Sequence, residues 1–104
     1  MTNVAAVMDK LPRKFQPDQA ADLAAVFQIE IEDGQPYSIQ VADGSCVVVQ
    51  QQHPDPDVTL IMASDTFVGI IEGEISGTGA FLSGSLRAEG NVMLATRLSS
   101  LFKR

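Results

Sequence analysis

The sequence predicts an α+β fold: a five-stranded, mainly antiparallel sheet with helices packed on one face. Three observations carry that prediction. From Phe27 to Val41 apolar and polar residues alternate with a period of two, the pattern of half-buried strands. Asp33-Gly34 and Asp43-Gly44 interrupt the alternation where hairpins turn. Near the C-terminus Leu94, Leu98, Leu101 and Phe102 recur at helical spacing, which lays them along one stripe.

Taken in order, Thr2 to Leu11 reads as a helix with Val4, Val7, Met8 and Leu11 on one face, stopped by Pro12. Asp18 to Leu23 is a second short helix entered through Pro17, a residue suited to a first turn. The first strand starts at Ala25, where Phe27, Ile29 and Ile31 alternate with Gln28, Glu30 and Glu32. Tyr37, Ile39 and Val41 mark the second strand and Ser45 to Gln51 the third, so that the three form an antiparallel meander. Gln51 to Pro56 is a loop, because Pro54 and Pro56 cannot serve a central strand.

Asp57 to Ala63 is the fourth strand. Ser64 is the expected N-cap of a helix carrying Phe67, Val68, Ile70 and Ile71, with Asp65 in its first turn and Gly73 at its end. Glu74 to Gly79 reads as a flexible linker. Phe81 and Leu82 form a short apolar helix broken by Gly84, and Ser85 to Glu89 alternates as a fifth strand, with Leu86 inward and Arg87 outward. Gly90 allows a turn that a Cβ resists, and Asn91 caps the final amphipathic helix. Gln28, Glu30, Ser38 and Gln40 make one sheet face polar, which sends the helices to the other face.

The 104 residues fit one domain, 1–104, with 45% apolar and 19% charged residues as in an ordinary globular protein. No apolar run approaches the ~20 residues of a membrane-spanning helix, and the start lacks the basic and apolar regions of a signal peptide. A single Cys points to a reducing, cytoplasmic setting. Net charge is −6, yet all seven basic residues sit in the two ends, and eleven acids lie between Phe15 and Leu86. If the ends meet, Lys10, Arg13, Lys14, Arg97, Lys103 and Arg104 form a patch for transient contact with an anionic membrane surface. Overall acidity and few aromatics argue against nucleic acid.

No constellation for catalysis is present, so the chain is expected not to be an enzyme and to need no cofactor. His53 stands in a polar loop. With Asp55 and Asp57 it offers a metal at most a poor set of ligands, and the spacing fits no familiar cage. Cys46 precedes Val47, Val48 and Val49 with no basic neighbour to activate it, so it reads as a small buried hydrophobe. Gly77-Thr78-Gly79 lacks the lysine of a phosphate loop. What remains is a set of apolar side chains able to line one interior: Phe67, Ile70, Ile71, Phe81, Leu82, Met93, Leu94, Leu98, Leu101 and Phe102. Composition does not separate a solid core from a cavity wall, and on the residues alone a solid core is the favoured reading.

The run from Phe81 to Asn91 (FLSGSLRAEGN), followed by Met93-Leu94-Ala95 and Leu98, resembles the C-terminal signature of sterol carrier protein type-two domains. Pro56 to Leu60 and Ser64 to Gly73 resemble the same family's strand after the central loop and its next helix. The resemblance implies a fold enclosing an apolar tunnel between sheet and helices. It also implies a non-catalytic carrier of a fatty acid, acyl-CoA, sterol or isoprenoid-like lipid, with the ten apolar residues as its lining. Ala88 departs from the family, which usually has a larger aliphatic there. The second reading is an interaction or dimerisation module with a filled core, monomer or homodimer, accessory to an enzyme of lipid or quinone metabolism.

Overall fold

Strand β1 (Ala25–Ile31) is the middle of the sheet, and the rest of the chain is arranged around it. A computed structural model of the chain describes residues 4–20, 22–95, 97 and 101. Strands β2 (Tyr37–Ala42) and β3 (Ser45–Val49) extend one side as the expected meander. On the other side β4 (Val58–Met62) runs parallel to β1, and β5 (Leu86–Gly90) returns antiparallel at the edge. The five-stranded sheet is thus mixed, in the order β3-β2-β1-β4-β5.

Register explains the core. Phe27 lies between Ile39 and Val58, Ile29 between Tyr37 and Leu60, and Met62 between Ile31 and Leu86. All of these side chains point to one face, where they join Met8, Leu11, Phe67, Ile70 and Ile71 from the helices in one buried cluster. The β2–β3 turn places Asp43 at φ 54° and Gly44 at φ 72°, the two left-handed residues of a tight hairpin.

Several boundaries differ from expectation. Helix α1 spans Val4–Lys14 and carries Pro12 inside it, ending three residues beyond the stop expected at Leu11. Pro12 forgoes the hydrogen bond to the Met8 carbonyl, but its ring is exposed, and burial of Leu11 and Phe15 holds the last turn in place. The second helix is only a 3₁₀ turn over Pro17–Ala20. The supposed linker also becomes structure. Ser76 accepts the Gly79 N–H at 3.2 Å and caps α3 (Gly77–Ser83), which ends at the left-handed Gly84. Helix α4 (Val92–Ala95) is a single turn entered through Asn91, whose Oδ1 accepts the Met93 N–H. Leu98 and Phe102, expected to continue that helix, lie outside the described residues.

The polar sheet face is not simply solvated. Gln28 and Ser38 are buried, and the loop after β3 reaches Gln28. The His53 N–H donates to Gln28 Oε1 at 2.8 Å, and the Gln28 amide donates to Glu30 at 2.7 Å.

Helix α2 (Ser64–Ile71) is capped from outside rather than by Ser64 itself. The Ser64 N–H and O–H donate to the Asp33 carboxylate in the β1–β2 turn, at 2.8 and 2.7 Å. The Ser64 hydroxyl, then its backbone N–H, hold the Asp33 carboxyl below its ordinary range. A folded value below the unfolded ~3.9 means the contribution is complete above that pH and is lost as pH falls through the folded value. Asp33→Asn is therefore expected to lower the urea midpoint by a constant amount between pH 5 and 8. The gap from the parent begins to close below about pH 4, the ordinary carboxylate range, and disappears as pH falls through the lowered folded value. A gap unchanged down to pH 2.5 would contradict this cap.

Candidate functional site

The far side of the sheet from the β2–β3 hairpin carries an apolar cavity of about 180 Å³. Its floor is Leu60 and Met62 of β4 and Leu86 of β5. These alternate residues face inward because β4 and β5 pair Met62 with Leu86 in register. Phe67 and Ile70 of α2 close one wall. Phe81 of α3 closes another beside Gly77 and Thr78, and Val92, Met93 and Ala95 of α4 complete the lining.

Among the described residues no lining side chain is ionisable, and the Thr78 hydroxyl is the only hydrogen-bonding side-chain group of the wall apart from the weakly accepting methionine sulfurs. Such a wall favours burial of hydrocarbon and offers no base, acid or nucleophile. A second cavity, about 220 Å³, lies between α1 and the β2–β3 hairpin, but Asp9, Gln50 and Tyr37 share its lining with apolar residues. The first cavity is the better candidate because its described lining comes from five separate elements and is free of charge.

Of the ten residues expected to line a site, the structure brings Phe67, Ile70, Phe81 and Met93 together on this cavity. Ile71 is buried in the core but not on the wall, and Leu94 packs half-buried against the core. Leu82 points away and is 79% exposed. Leu101 is fully buried elsewhere, and its carbonyl accepts the Gln16 N–H at 2.7 Å. Leu98 and Phe102 lie outside the described residues. Sequence reasoning passed over the floor, Leu60, Met62 and Leu86. Their signal was the same inward alternation that marks plain core residues.

The polar candidates are occupied with structure. Asp57 Oδ2 accepts the Val26 N–H at 2.7 Å, and the Asp57 N–H donates to the Val26 carbonyl at 3.0 Å, which ties β4 to β1. His53 Nδ1 accepts the Asp55 N–H at 3.0 Å. Among the described residues no three His, Cys, Asp or Glu side chains gather where they could hold a metal ion. Burial pushes the half-buried Cys46 thiol up to about 11, so it stays protonated at neutral pH. The Gln16–Leu101 bond ties Leu101 to the segment after α1; Lys10 and Arg13 are exposed on α1 and Arg97 is half-buried. Lys103 and Arg104 lie outside the described residues. Arg87 stands apart, 3.5 Å from Glu32. Among the described residues no helix is long and apolar enough to cross a membrane.

Comparison with known proteins places this geometry. Residues 8–103 match the SCP-2 sterol transfer family. Hydroxysteroid dehydrogenase-like protein 2 of Mus musculus is 36% identical over 80 residues, covering 74% of this chain and 16% of that protein. The chain spans about a fifth of the length of the first curated relatives it matches. The same fold recurs in the sterol carrier protein domain 2 of Helicoverpa armigera, with a TM-score of 0.77 and 22% identity over 94% of this chain and 84% of that one. It recurs again in the inverting sec-alkylsulfatase Pisa1 of Pseudomonas sp., with a TM-score of 0.88 and 18% identity over 98% of this chain and 16% of that one.

Proposed function

Because the chain belongs to the SCP-2 sterol transfer family, we propose that it is a non-catalytic carrier of one lipid of the fatty-acid, acyl-CoA, sterol or isoprenoid-like class. The observation that carries this reading is the uncharged cavity between β4, β5 and the three C-terminal helices. Its size constrains how a ligand enters. About 180 Å³ accommodates roughly six groups of water-like volume, at ~30 Å³ each. Burying six methylenes contributes about 5 kcal/mol, a dissociation constant only near 0.2 mM. A carrier of useful affinity therefore widens the cavity as it loads.

The wall that gives way is α3. It is seven residues long, it packs chiefly on the edge strand β5, and it ends at Gly84 in open space. Phe81 then swings with the helix and covers the inner end of the chain. The cations of the two ends, Lys10, Arg13, Lys14, Arg97, Lys103 and Arg104, would serve to attract a charged headgroup or an anionic surface. A reducing, cytoplasmic setting suits the single protonated thiol.

The relatives suggest a second setting for the same chemistry: a lipid-holding module attached to, or working beside, a larger enzyme. Native mass spectrometry of the purified chain, followed by solvent extraction, tests the carrier reading. The expected result is a one-to-one complex with a lipid. A bare dimer that takes up no fluorescent fatty acid would shift the assignment to an interaction module, and a bare monomer with the same defect would mean a filled core.

A further inference from the structure

Six large apolar side chains stand exposed among the described residues, and five of them, Ile75, Phe81, Leu82, Val92 and Met93, come from the segments that build the cavity's outer wall. Phe81, Val92 and Met93 belong to the lining and are 46%, 46% and 75% exposed, so the cavity opens through them. Leu82 lines nothing and projects outward beside them. The same segments are stripped of charge: residues 75–86 and 90–96 contain no ionisable side chain, in a chain that has twenty charged residues. Exposed apolar groups gathered in a charge-free field mark an interaction surface.

From this we infer that the α3–α4 rim docks on the surface of a neutral, zwitterionic bilayer, inserting Leu82 and Met93 while the cavity mouth faces the acyl region. The choice of occupant follows from charge and from geometry. The rim segments carry no charge, their flanks balance Glu74 and Glu89 against Arg87 and Arg97, and the chain carries −6 overall, so nothing here recruits an anionic surface in preference to a neutral one. A protein seated on the rim would stopper the opening it surrounds, whereas a bilayer supplies and receives what the cavity holds. Lys10, Arg13 and Lys14 lie on α1 and only Arg97 adjoins the rim, so this apolar contact is separate from the α1 cations and insensitive to salt.

The inference takes its purpose from the carrier reading, but its test does not depend on it. The chain has no Trp, so Leu82→Trp introduces a single reporter at the rim. Added phosphatidylcholine vesicles are expected to shift its emission to the blue, equally at low salt and at 0.5 M NaCl. The parent chain should float with such vesicles, and Leu82→Asp should lose at least about tenfold of that binding. Because Leu82 is 79% exposed, the Asp variant is expected to keep the parent's melting temperature and its affinity for a fluorescent fatty acid. Transfer of that fatty acid to vesicles should rise with vesicle concentration for the parent and lose this dependence in Leu82→Asp.

Equal flotation of parent and Leu82→Asp overturns the proposal. So does parent binding confined to anionic vesicles and abolished by salt, which assigns docking to the basic ends. If the parent binds no fatty acid, the carrier reading fails and the flotation and Trp measurements still decide the docking surface.

Discussion

Leu86→Trp is expected to lower the affinity for a fluorescent fatty acid about a hundredfold while the chain stays folded. Leu86 sits in the cavity floor, 6% exposed, on the edge strand β5. An indole there grows into about 180 Å³ of unfilled space rather than into packed neighbours, so overpacking is modest, about 1 kcal/mol. It displaces roughly four methylenes of a bound chain, and at about 0.8 kcal/mol each the loss is near 3 kcal/mol. Trp is also at home in a strand. Titration of the ligand beside a thermal melt separates the two effects. Unchanged uptake in a folded Leu86→Trp protein would mean the lipid lies elsewhere.

The second large effect concerns a residue whose exposure would suggest indifference. Gly90→Ala is expected to lower the melting temperature by about 10–20 °C. Gly90 has φ +95°, and a Cβ built on it comes within 2.8 Å of the Asp57 carbonyl oxygen. That oxygen cannot retreat easily. It already accepts the Asn91 N–H at 3.0 Å, and the Asp57 carboxylate holds β1 through Val26. Left-handed strain of roughly 1–2 kcal/mol and the clash together give about 2–4 kcal/mol. Gly84→Ala is the control. Its φ of +87° imposes the same strain, but no atom lies within 4 Å, so it should cost only about the first part. Equal shifts for the two variants would remove the clash from the account.

Much of the fold was legible because it is local. The β1–β2–β3 meander follows from period-two alternation and two Asp-Gly turns, and the β5 pattern of Leu86 inward and Arg87 outward follows from the same rule. The parallel pairing of β1 with β4 was not legible, because it is fixed by contacts 31 residues apart, such as Val26 with Asp57. The Asp33 cap of α2 escaped for the same reason: a serine at the helix start looks like its own cap until another turn arrives.

The site was half legible, and helical geometry says why. Adjacent helical residues point about 100° apart, so neighbours such as Phe81 and Leu82, Ile70 and Ile71, or Met93 and Leu94 are readily divided between a cavity and its surroundings, although Val92 and Met93 both reach this one. In each pair one member lines the cavity and the other does not. The floor was hidden for a different reason. Whether an inward strand residue such as Leu60 is packed or borders space depends on what stands above it, which strand alternation does not encode.

Every described side chain on the cavity lies between Leu60 and Ala95, in one unbroken run of the chain. The first half, from α1 through the β1–β2–β3 meander, supplies the platform and none of the lining. On the carrier reading, cargo preference would be carried by a contiguous cassette, and platform and cassette meet mainly along the seam between β1 and β4. Chimeras that exchange residues 58–95 between related domains, keeping Asp57 and Val26 to close the seam, would move ligand choice as a block. Drift in the first half would leave it untouched.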